Sequence, residues 1–133
     1  MDLTVMFSAA FIFEPGTYDA RFHELNALID AAAAATPGYL GRESWRSPDG
    51  KRANATYYWA SLDALRTFST HPKHVEAKRE YAKWYRGYHI VIAEVLRSYG
   101  DGAFDHITPN DRASRLAPHA APPLRDSENE APS

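Results

Sequence analysis

The sequence predicts an α+β fold: one ferredoxin-like β-α-β-β-α-β domain over residues 1–100. Three observations predict it. Alternating apolar residues open the chain, amphipathic helical stripes separate the strand-like segments, and a tight turn at Ser47-Pro48-Asp49-Gly50 joins two short arms.

The first strand is read over residues 3–13, with Leu3, Val5, Phe7, Phe11 and Phe13 at alternate positions. Pro15-Gly16 breaks it. Tyr18, Phe22, Leu25, Ile29 and Ala32 then form one stripe of a helix that Thr36-Pro37-Gly38 ends. The Ala31–Ala35 run has high helix propensity and little volume, so a neighbour can approach closely. Residues 39–46 and 53–59 are the arms of a hairpin, since Gly50 takes positive φ without strain. Tyr39, Gly41, Glu43 and Trp45 are placed on one face of the first arm. Ala55, Tyr57 and Trp59 oppose Asn54, Thr56 and Tyr58 in the second. This polar row either lines a cavity or faces water.

Ser61 is a natural N-cap, and Leu62, Leu65 and Phe68 mark a short helix. His71-Pro72 starts another, with Pro at its first position and a stripe of His74, Ala77, Tyr81, Trp84, Tyr85 and Tyr88. Residues 88–97 read as the last strand. It is apolar on both faces, which implies burial on both. Helices cover one sheet face, and a second copy facing the other would make a symmetric homodimer.

The chain has 133 residues, a formal net charge of −2, no cysteine, and 44% hydrophobic residues. That suits one domain with a real core. The near-neutral charge argues against a nucleic-acid or membrane-surface partner. The absence of cysteine excludes disulfides, thiolate metal sites and cysteine nucleophiles. No apolar run approaches the ~18 residues of a membrane span, and the opening segment lacks a basic n-region, so a cytoplasmic protein is expected. Only Phe104, of the aromatics, lies beyond residue 100, and five prolines do, including Pro122-Pro123. Residues 101–133 are therefore expected to be a flexible tail, with Phe104, Ile107 and Leu116 as candidates for a short docked piece.

No dinucleotide turn, phosphate loop, His-Glu-x-x-His or Gly-x-Ser-x-Gly motif is present. His71 and His74 have no obvious third ligand, so no metal is expected. His71 reads as a helix cap, and His74 as either a site residue or a half-buried imidazole.

Several motifs resemble the antibiotic-biosynthesis monooxygenase family of dimeric α+β barrel proteins. They are Pro37-Gly38-Tyr39-Leu40-Gly41 leading into the second strand, Trp59 ending the third strand before a Ser-capped helix, and His71-Pro72-Lys73-His74 running to Ala77-Lys78 and Trp84-Tyr85. The resemblance covers about residues 3–100. It implies a cleft between sheet and helices, and oxygenation of an aromatic or polyketide-like molecule without a redox cofactor. Such a substrate ionises and itself gives an electron to oxygen, so the protein supplies an aromatic cavity, a base and a donor for the anion. On that reading Trp59, Tyr58, Tyr81, Trp84 and Tyr85 wall the cavity and His74 is the base. Arg97, Lys78 or Asn54 meets the anion. The alternative within the same fold is a haem-binding enzyme using His74 or His71. In the register of the haem-degrading branch, however, the ligand position falls at Lys78 and strand one has no Asn. A third reading is a non-catalytic dimer that sequesters an aromatic ligand.

Overall fold

The computed structural model describes residues 5–111. Leu3, Leu116, His119 and Pro122-Pro123 lie outside the described residues. The chain divides into two compact units, Met1–Val95 and Leu96–Ser133.

The first unit runs β1 (Phe7–Pro15), α1 (Ala20–Ala35), β2 (Tyr39–Arg46), β3 (Ala53–Trp59), α2 (Leu62–Ser69), α3 (Pro72–Trp84) and β4 (Tyr85–Glu94). The four strands form an antiparallel sheet in the order β2-β3-β1-β4. This is the ferredoxin-like α+β arrangement.

Local chemistry sets the ends of the helices. The Asp19 carboxylate accepts the Phe22 N–H at 2.9 Å and caps α1. The Ser61 hydroxyl accepts the Ala64 N–H at 3.0 Å and caps α2. At α3 the cap is a histidine: His71 Nδ1 accepts the Lys73 N–H at 3.1 Å, with Pro72 in the first turn. The β2–β3 hairpin closes through Gly50 N–H to Ser47 O at 2.9 Å, with Gly50 at φ 74°.

The core forms where α1 and α2 cover the sheet. Trp59 is fully buried against Ala33, Ala64, Leu65 and Phe68. The alanine run of α1 thus lets the helix approach the indole closely.

Three expectations are corrected. β4 spans Tyr85–Glu94 rather than 88–97. Tyr85 pairs with Pro15 as soon as α3 ends, and Glu94 is opposite Phe7, where β1 begins. β4 is also an edge strand, open on both faces rather than buried. Finally, Tyr39 does not share a face with Gly41. A bulge between them resets the alternation, and Gly41 occupies φ 139°.

In the second unit, residues 96–111 fold back on themselves. Asp111 N–H donates to Ser98 O at 3.1 Å, Asn110 brackets Gly100 through two hydrogen bonds, and the Ser98 and Thr108 hydroxyls pair.

Candidate functional site

Residues opposite one another in an antiparallel ladder share a face, so the register sorts every strand residue. The row Arg42, Tyr57, Ala9 and Ile92 crosses the sheet on the helix-facing side. So do Phe11 with Ile90 and Phe13 with Tyr88. The helix-free side carries Val91, Ala10, Thr56 and Glu43 in one row and His89, Ile12, Asn54 and Trp45 in another.

On the helix-facing side the aromatic residues form a continuous surface. The Tyr85 ring meets Phe13 at 5.0 Å and Phe11 at 5.3 Å between ring centroids. Phe11 reaches Tyr88 at 5.8 Å, and Tyr88 packs edge-on to Tyr81 at 4.9 Å. Tyr81, Trp84 and Tyr85 also line a cavity of about 470 Å³ at the α3–β4 junction, with Gly16, Lys83 and Arg86 among its other walls. That volume is in the range of small-molecule sites. Past the cavity the helix-facing side of β4 is open. Tyr88 is 48%, Ile90 47% and Ile92 55% exposed. Small Ala9 separates Ile92 from Tyr57 in the same row.

Tyrosine hydroxyls gather along this surface. Burial pushes the Tyr85 hydroxyl well above the ordinary phenol range, and the nearby Tyr18 and Tyr57 hydroxyls add to the rise. Tyr57 is raised by burial too, against the pull of Arg42. Arg42 Nη1 donates to Asp30 Oδ1 at 2.8 Å and approaches the Tyr57 hydroxyl at 3.5 Å, with the guanidinium 5.8 Å from the centre of the Tyr57 ring.

Of the residues expected from sequence, the structure brings together Tyr81, Trp84 and Tyr85 at the cavity, while Trp59, His74, Lys78, Asn54 and Tyr58 lie elsewhere in the first unit. Trp84 is anchored in the wall, its indole N–H donating to Asp19 Oδ1 at 3.1 Å. Trp59 is a core residue at 0% exposure. His74 packs edge-on against Phe68 at 4.8 Å, and Phe68 in turn lies 5.6 Å from Tyr57. Burial, reinforced by Lys78 and His71, lowers the His74 pKa to about 4, so its imidazole is neutral near pH 7. Lys78 reaches back to the Ser69 carbonyl at 3.1 Å and is exposed. Asn54 and Tyr58 lie on the helix-free side. There Asn54 donates to Thr56 Oγ1, and the Tyr58 hydroxyl donates to Glu43 at 2.7 Å. Burial and the Glu43 carboxylate push Tyr58 up to about 12. Arg97 belongs to the second unit and is exposed.

Sequence reading did not find the contact of Arg42 with Asp30 and Tyr57, or the exposure of Tyr88, Ile90 and Ile92. Gly41 was the available signal. A glycine inside a strand often marks a bulge, and a bulge re-aims the residue after it.

Neither histidine named for haem lines the cavity. His71 caps α3, His74 is packed on Phe68, and the cavity wall contains neither. Among the described residues no group of three His, Asp or Glu side chains could hold a metal ion, and no helix is long and apolar enough to cross a membrane.

Comparison with known proteins places the chain. Residues 13–93, more than half of the chain, match the model of the monooxygenase af470-like family. YqjZ of Bacillus subtilis (strain 168), an uncharacterized protein, is 35% identical over 80 residues, covering 59% of this chain and 69% of that protein. The cofactor-independent oxygenase SnoaB from Streptomyces nogalater superposes with a TM-score of 0.59 at 16% identity, covering 70% of this chain and 95% of SnoaB. A Chloroflexus aurantiacus protein named after the antibiotic-biosynthesis monooxygenases gives 0.51 at 15% identity, over 73% of this chain and 99% of that one. At these identities the structural likeness shows the fold. Together with the family match it bears out the resemblance to the antibiotic-biosynthesis monooxygenases read from the motifs. The chain belongs to the monooxygenase af470-like family.

Proposed function

We propose that the protein is a small oxygenase acting on an ionisable polycyclic aromatic molecule in the helix-facing groove. The observation that carries this reading is the groove itself. A cavity of about 470 Å³ is lined by Tyr81, Trp84 and Tyr85, and Tyr81 packs on Tyr88, the first of the exposed row of Tyr88, Ile90 and Ile92. Flat aromatic and aliphatic walls with a few phenol hydroxyls suit a fused-ring substrate. Membership of a monooxygenase-like family supports the reaction type, and the likeness to SnoaB supports chemistry in which the substrate is the electron source.

In that chemistry the substrate loses a proton to become an enolate or phenolate. The anion passes one electron to dioxygen, and the two radicals combine into a substrate hydroperoxide. Loss of water then leaves a ketone where a CH2 group stood, with one oxygen atom in the product and one in the water. The protein holds the ring system, keeps water from it and stabilises the anion. His74 sits behind Phe68, and we assign it to packing beneath the site rather than to proton abstraction. Its conjugate acid, at about 4, makes it a weak base for a phenol.

The helix-free side is the place for a second copy of the chain. Trp45 is 67% and Val91 43% exposed there, on a face that also carries Ile12, Ala10 and Ala93 among polar residues. We propose a homodimer formed through that face.

An oxygen electrode with dithranol, a dihydroxyanthrone, tests the oxygenase reading. The protein is expected to accelerate oxygen uptake above the dye's own autoxidation, with stoichiometric anthraquinone formed. Ile92→Glu, which puts a carboxylate on the groove floor, is expected to lower that rate at least about tenfold, since burying an unpaired charge is expensive. Uptake no faster than autoxidation, or a rate untouched by Ile92→Glu, overturns the proposal.

A further inference from the structure

We propose that Arg86 makes the cavity at the α3–β4 junction a carboxylate site, and that the ligand it takes is a fused-ring aromatic acid. The inference rests on the groove reading and adds to it the charged group by which the ligand is recognised.

The backbone places Arg86. Tyr85 pairs with Pro15 and Gly87 with Glu14, so Arg86 is an extra residue of β4 with no position of its own opposite it on β1. That is a bulge, and a bulge re-aims the side chain it carries. Its effect is visible on either side of Arg86. Tyr85 and Tyr88 are three residues apart, which strict alternation puts on opposite faces. Both rings nevertheless reach Phe11, at 5.3 Å and 5.8 Å between centroids. The bulge thus keeps two tyrosines on the helix-facing side and leaves Arg86 in the cavity lining.

The charges of that lining have one sign. Lys83 and Arg86 belong to it, and no carboxylate does. Lys83 donates to Glu80 at 3.2 Å, and in the last turn of α3 its charge suits the negative end of the helix dipole. Arg86 lies beyond the helix. Among the described residues it has no hydrogen-bond or ion-pair partner. The acids around it are engaged elsewhere. Glu14, opposite Gly87, pairs with Arg52 at 2.8 Å. Asp19 Oδ1 accepts the Phe22 N–H and the Trp84 indole N–H. Glu80 holds Lys83 and Arg21.

A guanidinium is a planar fork of donors that matches the two oxygens of a carboxylate. This uncommitted fork stands beside exposed aromatic surface, since Tyr81 is 41% exposed and packs edge-on to Tyr88 at 4.9 Å. Flat rings against Tyr81 with a carboxylate on Arg86 satisfy the two halves of the lining together.

Two probes of the same shape isolate the charge: 2-naphthoate, an anion at neutral pH, and the uncharged 2-naphthamide. Equilibrium dialysis against the full chain at low salt measures each. Wild type is expected to bind naphthoate about tenfold more tightly than naphthamide, with added salt narrowing the difference. Arg86→Gln is expected to bind the two equally, and Arg86→Lys to keep part of the preference. Arg86 is exposed, so these variants are expected to fold, and a thermal melt checks it. Tyr81→Ala is expected to weaken both probes alike and leave the preference in place. Arg66→Gln, on α2 where Arg66 pairs with Asp63, is expected to bind as wild type does. If neither probe binds, if the two bind equally to wild type, or if Arg86→Gln keeps the full preference, the inference is overturned. Failure of the oxygenase reading is seen separately, because these probes need no oxygen. A protein that selects naphthoate through Arg86 but never accelerates oxygen uptake bears out the carboxylate site and loses the reaction.

Discussion

His74 shows how one side chain can tie the fold to pH. Its imidazole is held neutral by burial beside Phe68, with Lys78 and His71 adding repulsion, so its pKa falls from 6.5 to about 4. In the unfolded chain it titrates at the ordinary value. Above about pH 6.5 neither state carries the proton, and the group is neutral in its effect. As pH falls from there toward about 4, the unfolded state binds a proton that the folded state excludes, and stability is lost. With partial solvation of the site allowed for, the loss is about 2 kcal/mol. His74→Phe keeps a ring against Phe68 and removes this term. Urea unfolding is expected to show a smaller stability loss between neutral pH and about pH 5 in the variant than in wild type. Equal losses in the two proteins would show that His74 is not the buried titrating group. The sequence left His74 open between a site residue and a half-buried imidazole. Its burial depends on Phe68, a residue of another helix, and no spacing within α3 reveals that.

At the scale of elements, the β2 bulge decides which residues face the helices. Strict alternation over 39–46 puts Tyr39 with Gly41 and gives Arg42 no particular place. The bulge lets Tyr39 join the core beside Trp59 and turns Arg42 onto Tyr57. Gly41 at φ 139° is in a region that a side chain occupies only under strain. Gly41→Ala is therefore expected to destabilise the protein by about 1–2 kcal/mol in chemical denaturation, with the loss centred on β2. A second close approach depends on a glycine at the β1–α1 turn. A Cβ on Gly16 would fall 2.7 Å from the Trp84 carbonyl oxygen, which its own N–H already binds. Element order, the capping residues and the hairpin were legible because each follows from local chemistry at Asp49-Gly50, Ser61 and His71-Pro72. The separation of Tyr58 from Trp59 was also legible, since neighbours in a strand point to opposite faces. Arg42 was not, because a bulge breaks the very period from which faces are read.

At the scale of the whole molecule, β4 presents apolar residues on both faces at the edge of the sheet, and the two faces have different fates. Its helix-facing residues Ile90 and Ile92 are exposed along the proposed groove. Its other face belongs to a flat surface, with Ala93 and Val91 beside Ser8 and Ala10 of β1 and Thr56 of β3. Small residues in the middle of a sheet let a second sheet pack about 10 Å away, and a two-fold axis through them makes the surface its own complement. A stable pair buries about 1,200–2,000 Å² in total, which one face of a four-stranded sheet can supply. Wild type is therefore expected to sediment as a dimer of the 14.9 kDa chain. Val91→Glu places a carboxylate in the middle row, in line with Glu43 and facing the same groups on the second copy, and is expected to sediment as a monomer. Ile92→Glu puts the same charge one residue away on the opposite face and is expected to remain dimeric. If both variants stay dimeric, or if wild type is a monomer at micromolar concentration, the helix-free face is not the interface. If Ile92→Glu alone dissociates, the copies meet through the groove side, and the groove is an interface rather than a ligand site.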